Sequence, residues 1–546
     1  MYKKRVCYLT FQTKEEDNMK KSVLLAALIV GFAALFVLPC TAKELTADKA
    51  EFIVNNGAEP QTLDPSLIQG VPEHRIYMAL FEGLTINDPK TSKAIPGIAQ
   101  SWTISPDGKT VTFKLRKSTW SDGTPLTAKD FVYGWLRTLK PATGAEYAYM
   151  IGMVVKGAND YNQGKTTDPS TVGVKALDDY TLQVELVGPA AYFVDMTAHY
   201  AFAPLPKHII EKYGDQWVKP GNFVGNGPYT LKEWKPQEYI FVVKNPKYWD
   251  ANNVKLNSIK ILAVTDEKTA YNMFLKGEID WDTGVPTDII DEVKLRPDYQ
   301  ANPQLATYYY CFNNQRKPYD NPLVRKALAA AIDKKALVEK VTKAGQIPTD
   351  AFTPPMPGFT PQPGIGYDVA KAKDLLAQAG YPDGKGFPVL TIKYNTSEGH
   401  KKIAEFIQQQ WQNNLGIKVE LKNEEWKTFL DTRSNAHDFD VARHGWVADY
   451  MDPSNFLELF ITGGGNNDGL YSNPKFDELV KKAATMPDGP ERNKVLMNAE
   501  KIFAEDQGML PLYWYVSLDL IDLKKWDGWY GNPLGAHNWK FISKKK

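Results

Sequence analysis

Apolar and polar residues alternate along Val111–Arg116 and again along Thr181–Leu186, the period-two pattern of a strand with one buried face. Elsewhere the period is that of a helix. Asp320–Gly345 sets Leu323, Ala327, Leu328, Ala331, Ile332, Leu337 and Val341 on one side, with Asn321 to cap it, Pro322 in its first turn and Gly345 to end it. The pattern predicts one long helix there. Further capped helices are predicted from Asp368 to Gly380 and from Asn473-Pro474. Between 389 and 447 the two periods follow one another. Val389–Tyr394 reads as a strand, Lys401–Asn414 as an amphipathic helix stopped by Gly416, Ile417–Leu421 as a second strand and Phe439–Arg443 as a third. A βαβ unit of this kind opens its loops at the carboxyl edge of one sheet, where open α/β sheets bind ligands. Those loops carry Asn395 and His400, then Trp426, then Trp446 and Asp449. Strand-like and helix-like segments alternate throughout, with Pro/Gly turns between them, so an α/β fold is expected.

Charge changes the picture at 425–452, where Arg433, Arg443 and Asp449 stand among apolar and aromatic residues. A partly buried charge costs several kcal/mol unless an opposite charge meets it. Two outcomes are open. The residues pair with one another or face solvent, or a ligand carrying both an ammonium and a carboxylate supplies their partners, with Trp426 and Trp446 as apolar walls.

Length and composition narrow the class. A chain of 546 residues suggests about two to four domains. Its 14 Trp and 28 Tyr exceed what packing needs and suit a protein that grips organic ligands. Met19-Lys-Lys, the apolar stretch Val23–Leu38 and the exit Pro39-Cys40-Thr41-Ala42 have the form of a secretory signal. Residues 1–18 fit such a signal poorly and suggest an upstream start that is not used. Cys40 invites acylation as a lipoprotein, but Pro39 before it favours cleavage after Ala42. Cys311 is then the only mature cysteine, which leaves no intramolecular disulfide. Losing residues 1–42 takes six basic and three acidic side chains from a chain of net charge +1 and leaves −2. With no basic stripe, nucleic acid is not an expected partner.

Catalytic signatures are missing. The seven histidines show no His-Glu-x-x-His spacing, there is no Gly-x-Ser-x-Gly elbow, and Gly380–Lys385 is one residue short of a phosphate loop and reads as a turn. No metal site or cofactor is expected.

Three segments carry a resemblance: Ile95–Trp102, Trp120–Trp135 (Trp-Ser-Asp-Gly-Thr-Pro-Leu-Thr-Ala-Lys-Asp-Phe-Val-Tyr-Gly-Trp) and Asn222–Tyr229. From about Phe52 to the C-terminus the chain resembles the family 5 extracellular solute-binding proteins. Tyr308–Asn314 and Glu425–Asp449 are similar to the oligopeptide-binding branch that serves ABC importers. The resemblance implies a three-lobed periplasmic binding protein fold, type II-like with mixed sheets, closing over its ligand. Lobe I would combine 43–81, about 207–305 and about 517–546; lobe II would span about 82–206 and lobe III about 306–516. It implies short peptides as ligand and a membrane permease as partner. Asp449 would receive the α-ammonium, and Arg443 and Arg433 the carboxylates of peptides of different length. Gln69, Val71, Gly445 and Trp446 would supply backbone pairing, and Tyr133, His199, Tyr309, Asn395, His400, Trp426 and Tyr515 would line pockets. The family pattern also implies a cysteine pair where this chain has Ala306 and Val447, and acids where it has Gln69 and Cys311. The same fold binding a muropeptide, a nickel complex or haem is one alternative, and a secreted hydrolase is another.

Overall fold

Two clusters of parallel strands, joined by a long antiparallel ribbon, organise the molecule. The computed structural model describes residues 45–546, so the secretory segment and its cleavage point lie outside the described residues. The strands are β1 (Phe52–Asn55), β2 (Tyr229–Lys235), β3 (Tyr239–Lys244), β4 (Ser258–Leu262), β5 (Trp281–Asp282), β6 (Tyr299–Phe312), β7 (Leu390–Asn395), β8 (Val419–Glu424), β9 (Val441–Val447) and β10 (Leu510–Ile521). They lie side by side in the order β2-β3-β4-β1-β5-β10-β6-β9-β7-β8. At one end β1 runs parallel to β4 and β5. At the other β7 runs parallel to β8 and β9. The antiparallel β6–β10 ladder joins the two, and its register breaks between Pro303 and Thr307. We propose this break as the boundary between lobes I and III.

A separate four-stranded antiparallel sheet, Ala99–Ile104, Thr110–Leu115, Thr181–Glu185 and Val174–Asp178, lies within the segment proposed as lobe II. Val111, Phe113 and Leu115 are buried there and the residues between them are not, as their alternation predicts. The helix Ala128–Leu139 packs Phe131 and Trp135 inward and starts on a capping box of Thr127 and Asp130. Among the described residues no helix is long and apolar enough to cross a membrane.

Four helices border the cleft: α1 (Val71–Leu80), α2 (Glu267–Leu275), α3 (Glu398–Leu415) and α4 (Trp426–Leu430). The helices begun by Asp368 and Asn473 have those side chains on their first backbone N–H groups. The βαβ unit is present, with Gly416 left-handed at φ 70° after α3. The structure corrects the sequence reading in three places. Asp320–Gly345 is not one helix: Pro322–Ala330 is helical, but the chain leaves the helix at Ala331 and Asp333 caps a new start by accepting the Ala336 N–H. An aspartate in a helical pattern competes for the backbone in this way. The third strand is Val441–Val447 rather than Phe439–Arg443, which puts Gly445 and Trp446 inside it. Asn395 ends β7, and Ser397 caps α3 early enough to place His400 in its first turn instead of a loop.

Cys311 is a free, buried thiol. Ala306 and Val447 stand directly opposite each other on β6 and β9. Backbone pairing and the stack of Tyr309 on His444 hold that register here.

Buried titratable groups set the pH dependence of stability. Burial pushes Glu146 and Glu458 up to about 8, and Asp282 and Glu500 up to about 7. It pushes His74 and His537 down to about 3, His444 to about 4 and His400 well below its usual value. An acid with a raised folded pKa releases its proton on unfolding, so stability falls as pH climbs from the unfolded value to the folded one. A histidine with a depressed folded pKa takes up a proton on unfolding, so stability falls as pH drops below about 6.5. From about pH 4 to 6.5 the two sets oppose each other, and above that only the acids act. The thermal midpoint is therefore expected to fall from about pH 6.5 to 8.5, and Glu458→Gln to flatten that slope. A midpoint that stays level or rises over this window contradicts the assignment.

Candidate functional site

β9 has one open edge. Its inner edge pairs with β6 all the way from Val441 to Val447, whereas its outer edge pairs with β7 only at Val441 and Ala442. From Arg443 onward no strand covers the outer edge, where the Gly445 N–H meets only the neighbouring His444 Nδ1 at 2.8 Å, so another strand can add there. Along β9 Ala442, His444 and Trp446 are buried, while Arg443, Gly445 and Val447 are part-exposed. Gly445 leaves room at the centre for the Tyr515–Arg443 pair: a Cβ there would lie 2.6 Å from the Tyr515 hydroxyl and 3.2 Å from Arg443 Nη2 and push both aside.

Arg443 stands at the start of that edge. Its Nη2 donates to the Tyr515 hydroxyl at 2.8 Å and its Nη1 to Asn395 Oδ1 at 3.3 Å, with the Tyr308 ring 4.9 Å from its guanidinium. Its Nε has no partner. His400 sits beside it, with Nδ1 3.1 Å from the Tyr308 hydroxyl, and burial followed by the Arg443 charge keeps its ring neutral. None of these neighbours is an anion. Arg443 has no ion-pair partner among the described residues, and a cation held this way is a receptor for a carboxylate.

Asp449 stands past the other end, with 9% of its side chain exposed. Asn455 binds it twice, accepting its backbone N–H at 3.1 Å and donating to Oδ2 at 3.3 Å. His199 Nε2 faces Oδ1 at 3.1 Å, and since His199 Nδ1 accepts the Ala201 N–H, Nε2 carries the proton. Three rings surround the pair. Tyr147 stacks on Trp446 at 6.0 Å and lies 4.8 Å from His199, and Tyr200 lies 3.7 Å from His199. A carboxylate in an aromatic recess suits an ammonium.

Arg433 is placed differently. Its Nε lies 2.6 Å from Asp468 Oδ2, which His444 Nε2 also approaches at 3.0 Å. Burial raises the Asp468 carboxyl, but Arg433 and His444 outweigh that and hold it below the usual range. Cys311 is in the same cluster, so Asp468 supplies a carboxylate beside the position where the family pattern has an acid.

The structure thus brings Arg443, Asn395, His400 and Tyr515 together at one end, and Asp449, His199 and Trp446 at the other. Trp426, on the helix that follows β8 and so on the side of β9, reaches the opposite wall: its Nε1 donates to Glu73 Oε1 at 3.2 Å, and a Cβ on Gly70 would come 2.7 Å from its ring. Gln69 leaves both its backbone groups unpaired there, and Val71 is 47% exposed. Tyr309 is core, stacked on His444 at 4.6 Å behind the strand. Tyr133, on the helix Ala128–Leu139, is not brought to the cleft; its ring lies 5.8 Å from Lys207 Nζ. Sequence reasoning missed Tyr147, Tyr200 and Asp468. Only Asp468 had a local signal, the glycine-rich run Gly463–Gly469 that allows close backbone approach.

Further contacts join the two walls. Ser397 Oγ donates to Glu267 Oε1 at 2.8 Å, Lys343 pairs with Asp291 at 2.9 Å, and Lys402 pairs with Asp288.

The model of the bacterial extracellular solute-binding proteins, family 5 Middle, matches residues 93–468. The periplasmic oligopeptide-binding protein OppA of Escherichia coli (strain K12) is 40% identical over 520 residues, 93% of this chain and 94% of the relative. The crystal structure of a periplasmic oligopeptide-binding protein from Borrelia burgdorferi superposes with a TM-score of 0.87 at 41% identity, covering 90% of this chain and 99% of that one. The murein tripeptide-binding protein MppA of Escherichia coli superposes at 0.87 with 37% identity, covering 92% and 100%. Its unliganded open form reaches only 0.61, covering 90% and 97%. The cleft here is therefore shut relative to that open form.

Proposed function

Because the chain belongs to the family 5 bacterial extracellular solute-binding proteins, we propose that it is a receptor for short peptides with free ends, which it passes to the membrane permease of an ABC importer. The observation that carries this is a pair of charges awaiting a ligand, Arg443 and Asp449, at opposite ends of one open strand edge. An extended peptide adds its backbone to such an edge, so affinity comes from main-chain groups common to all sequences. Six residues at roughly 3.3 Å would separate the two Cα atoms by at most about 20 Å, since the chain bends after Val447, and an arginine side chain spans about 6 Å of that. The remainder fits about three to five peptide residues. Gln69 and Val71 line the facing wall, Trp426 closes the cleft from the side of β9, and the recess of His199, Tyr147 and Trp446 takes the first residue.

The protein acts in the periplasm without catalysing a reaction. Murein peptides, the ligands named for one relative, are the second candidate, since they too offer an ammonium and carboxylates. Mass spectrometry of small molecules released by denaturing the native protein tests the reading: short free-ended peptides are expected, murein peptides would select the second candidate, and a non-peptide ligand would overturn both. Turnover of a peptide panel would revive a hydrolase.

A further inference from the structure

α2 belongs to the segment proposed as lobe I and α3 to the segment proposed as lobe III, and their first turns meet across the cleft. Glu267, the first residue of α2, accepts the Ser397 hydroxyl on Oε1 at 2.8 Å. Ser397 is the N-cap of α3, and its hydroxyl in turn accepts the His400 N–H at 3.4 Å. A Cβ on the intervening Gly399 would lie 3.8 Å from Glu267 Oε1 and 3.6 Å from Thr287 Cγ2, so the turn rests against lobe I. Lys402 adds a pair with Asp288. On the cleft side of the turn, His400 Nδ1 lies 3.1 Å from the Tyr308 hydroxyl, and the Tyr308 ring lies 4.9 Å from the Arg443 guanidinium. Four contacts thus lead from Glu267 on one wall to the cation on the other.

We propose that Glu267 is a positioning residue for the peptide's C-terminus: by bonding the cap of α3 from the opposite wall, it fixes the turn that carries His400 and couples closure of the cleft to the grip of Arg443 on the carboxylate. The inference rests on the peptide-receptor reading and on the lobe boundary at Pro303–Thr307. Glu267 and Ser397 lie on opposite sides of that boundary, so opening the cleft parts them. A contact made in only one of two states favours that state, and every ligand that needs the state gains by the same amount. The gain goes further for a carboxylate at Arg443. That ligand also needs His400 and Tyr308 in place beside the guanidinium, whereas a peptide amide carries no charge for them to help hold.

The test is calorimetry with tri-, tetra- and penta-alanine, each with a free and with an amidated C-terminus, on the wild type and its variants. The length that amidation weakens most in the wild type reports on Arg443. At that length Glu267→Ala is expected to weaken the free peptide about tenfold and the amidated one no more than about threefold. Ser397→Ala should show the same pattern, and the double variant should lose no more than Ser397→Ala alone, because both changes remove one bond. Glu267→Gln keeps an oxygen that accepts the Ser397 hydroxyl and should bind as the wild type does. That rescue separates positioning from a general loss of fold. No loss in Glu267→Ala, equal losses for free and amidated peptides, or a Gln variant as weak as the Ala variant overturns the inference. A wild type that binds none of the peptides would instead sink the peptide-receptor reading beneath it.

Discussion

Asp449→Asn is expected to weaken free-ended peptides by about 2–5 kcal/mol, roughly 30-fold to several-thousand-fold, because truncating one side of a desolvated charge pair leaves the other side unmet. N-acetylating the peptide should cost the wild type a similar amount. The two losses should not add, since each removes the same contact. A cycle of both proteins and both peptides, measured by calorimetry, isolates that coupling. If Asp449 served only His199 and Asn455, the variant would lose stability, and peptide affinity would fall without coupling to acetylation. Additive losses would take Asp449 out of the site.

Arg443→Gln should give the second large effect, again about 2–5 kcal/mol, coupled to amidation of the peptide's C-terminus. The loss should be greatest for the length whose carboxylate lies level with Tyr515 and Asn395. Arg433→Ala should differ in kind. Removing that guanidinium leaves Asp468 buried beside a neutral histidine, so thermal stability should fall along with the affinity for longer peptides. Equal losses at every length from both variants would mean that the two arginines do not divide peptides by length.

The parts of this fold legible in the sequence were those in which one side chain settles a local choice. Asn321, Asp368 and Asn473 each accept a first-turn N–H, and cap residues act on their own backbone whatever packs around them. Asp333 is the same chemistry overlooked, because the apolar stripe ran through it unbroken. The strand Val441–Val447 was placed too early, since its register is set by seven partners on β6, about 130 residues away. Arg443 and Asp449 stood out because charge beside apolar sequence demands a partner. That Arg433 already has one could not be read, as Asp468 arrives on a distant loop. Tyr133 and Tyr147 looked alike on the chain, and only the folding of their segment places Tyr147 against Trp446 and leaves Tyr133 beside Lys207.

The central claim is that both free ends of a peptide are held, and one titration tests it most directly. The mature protein, freed of ligand by unfolding and refolding, is titrated in a calorimeter with tetra-alanine and with the same peptide acetylated and amidated at its ends. One-to-one binding of the free peptide and a loss of at least a hundredfold with the blocked one is the predicted result. Equal binding of the two would contradict the account.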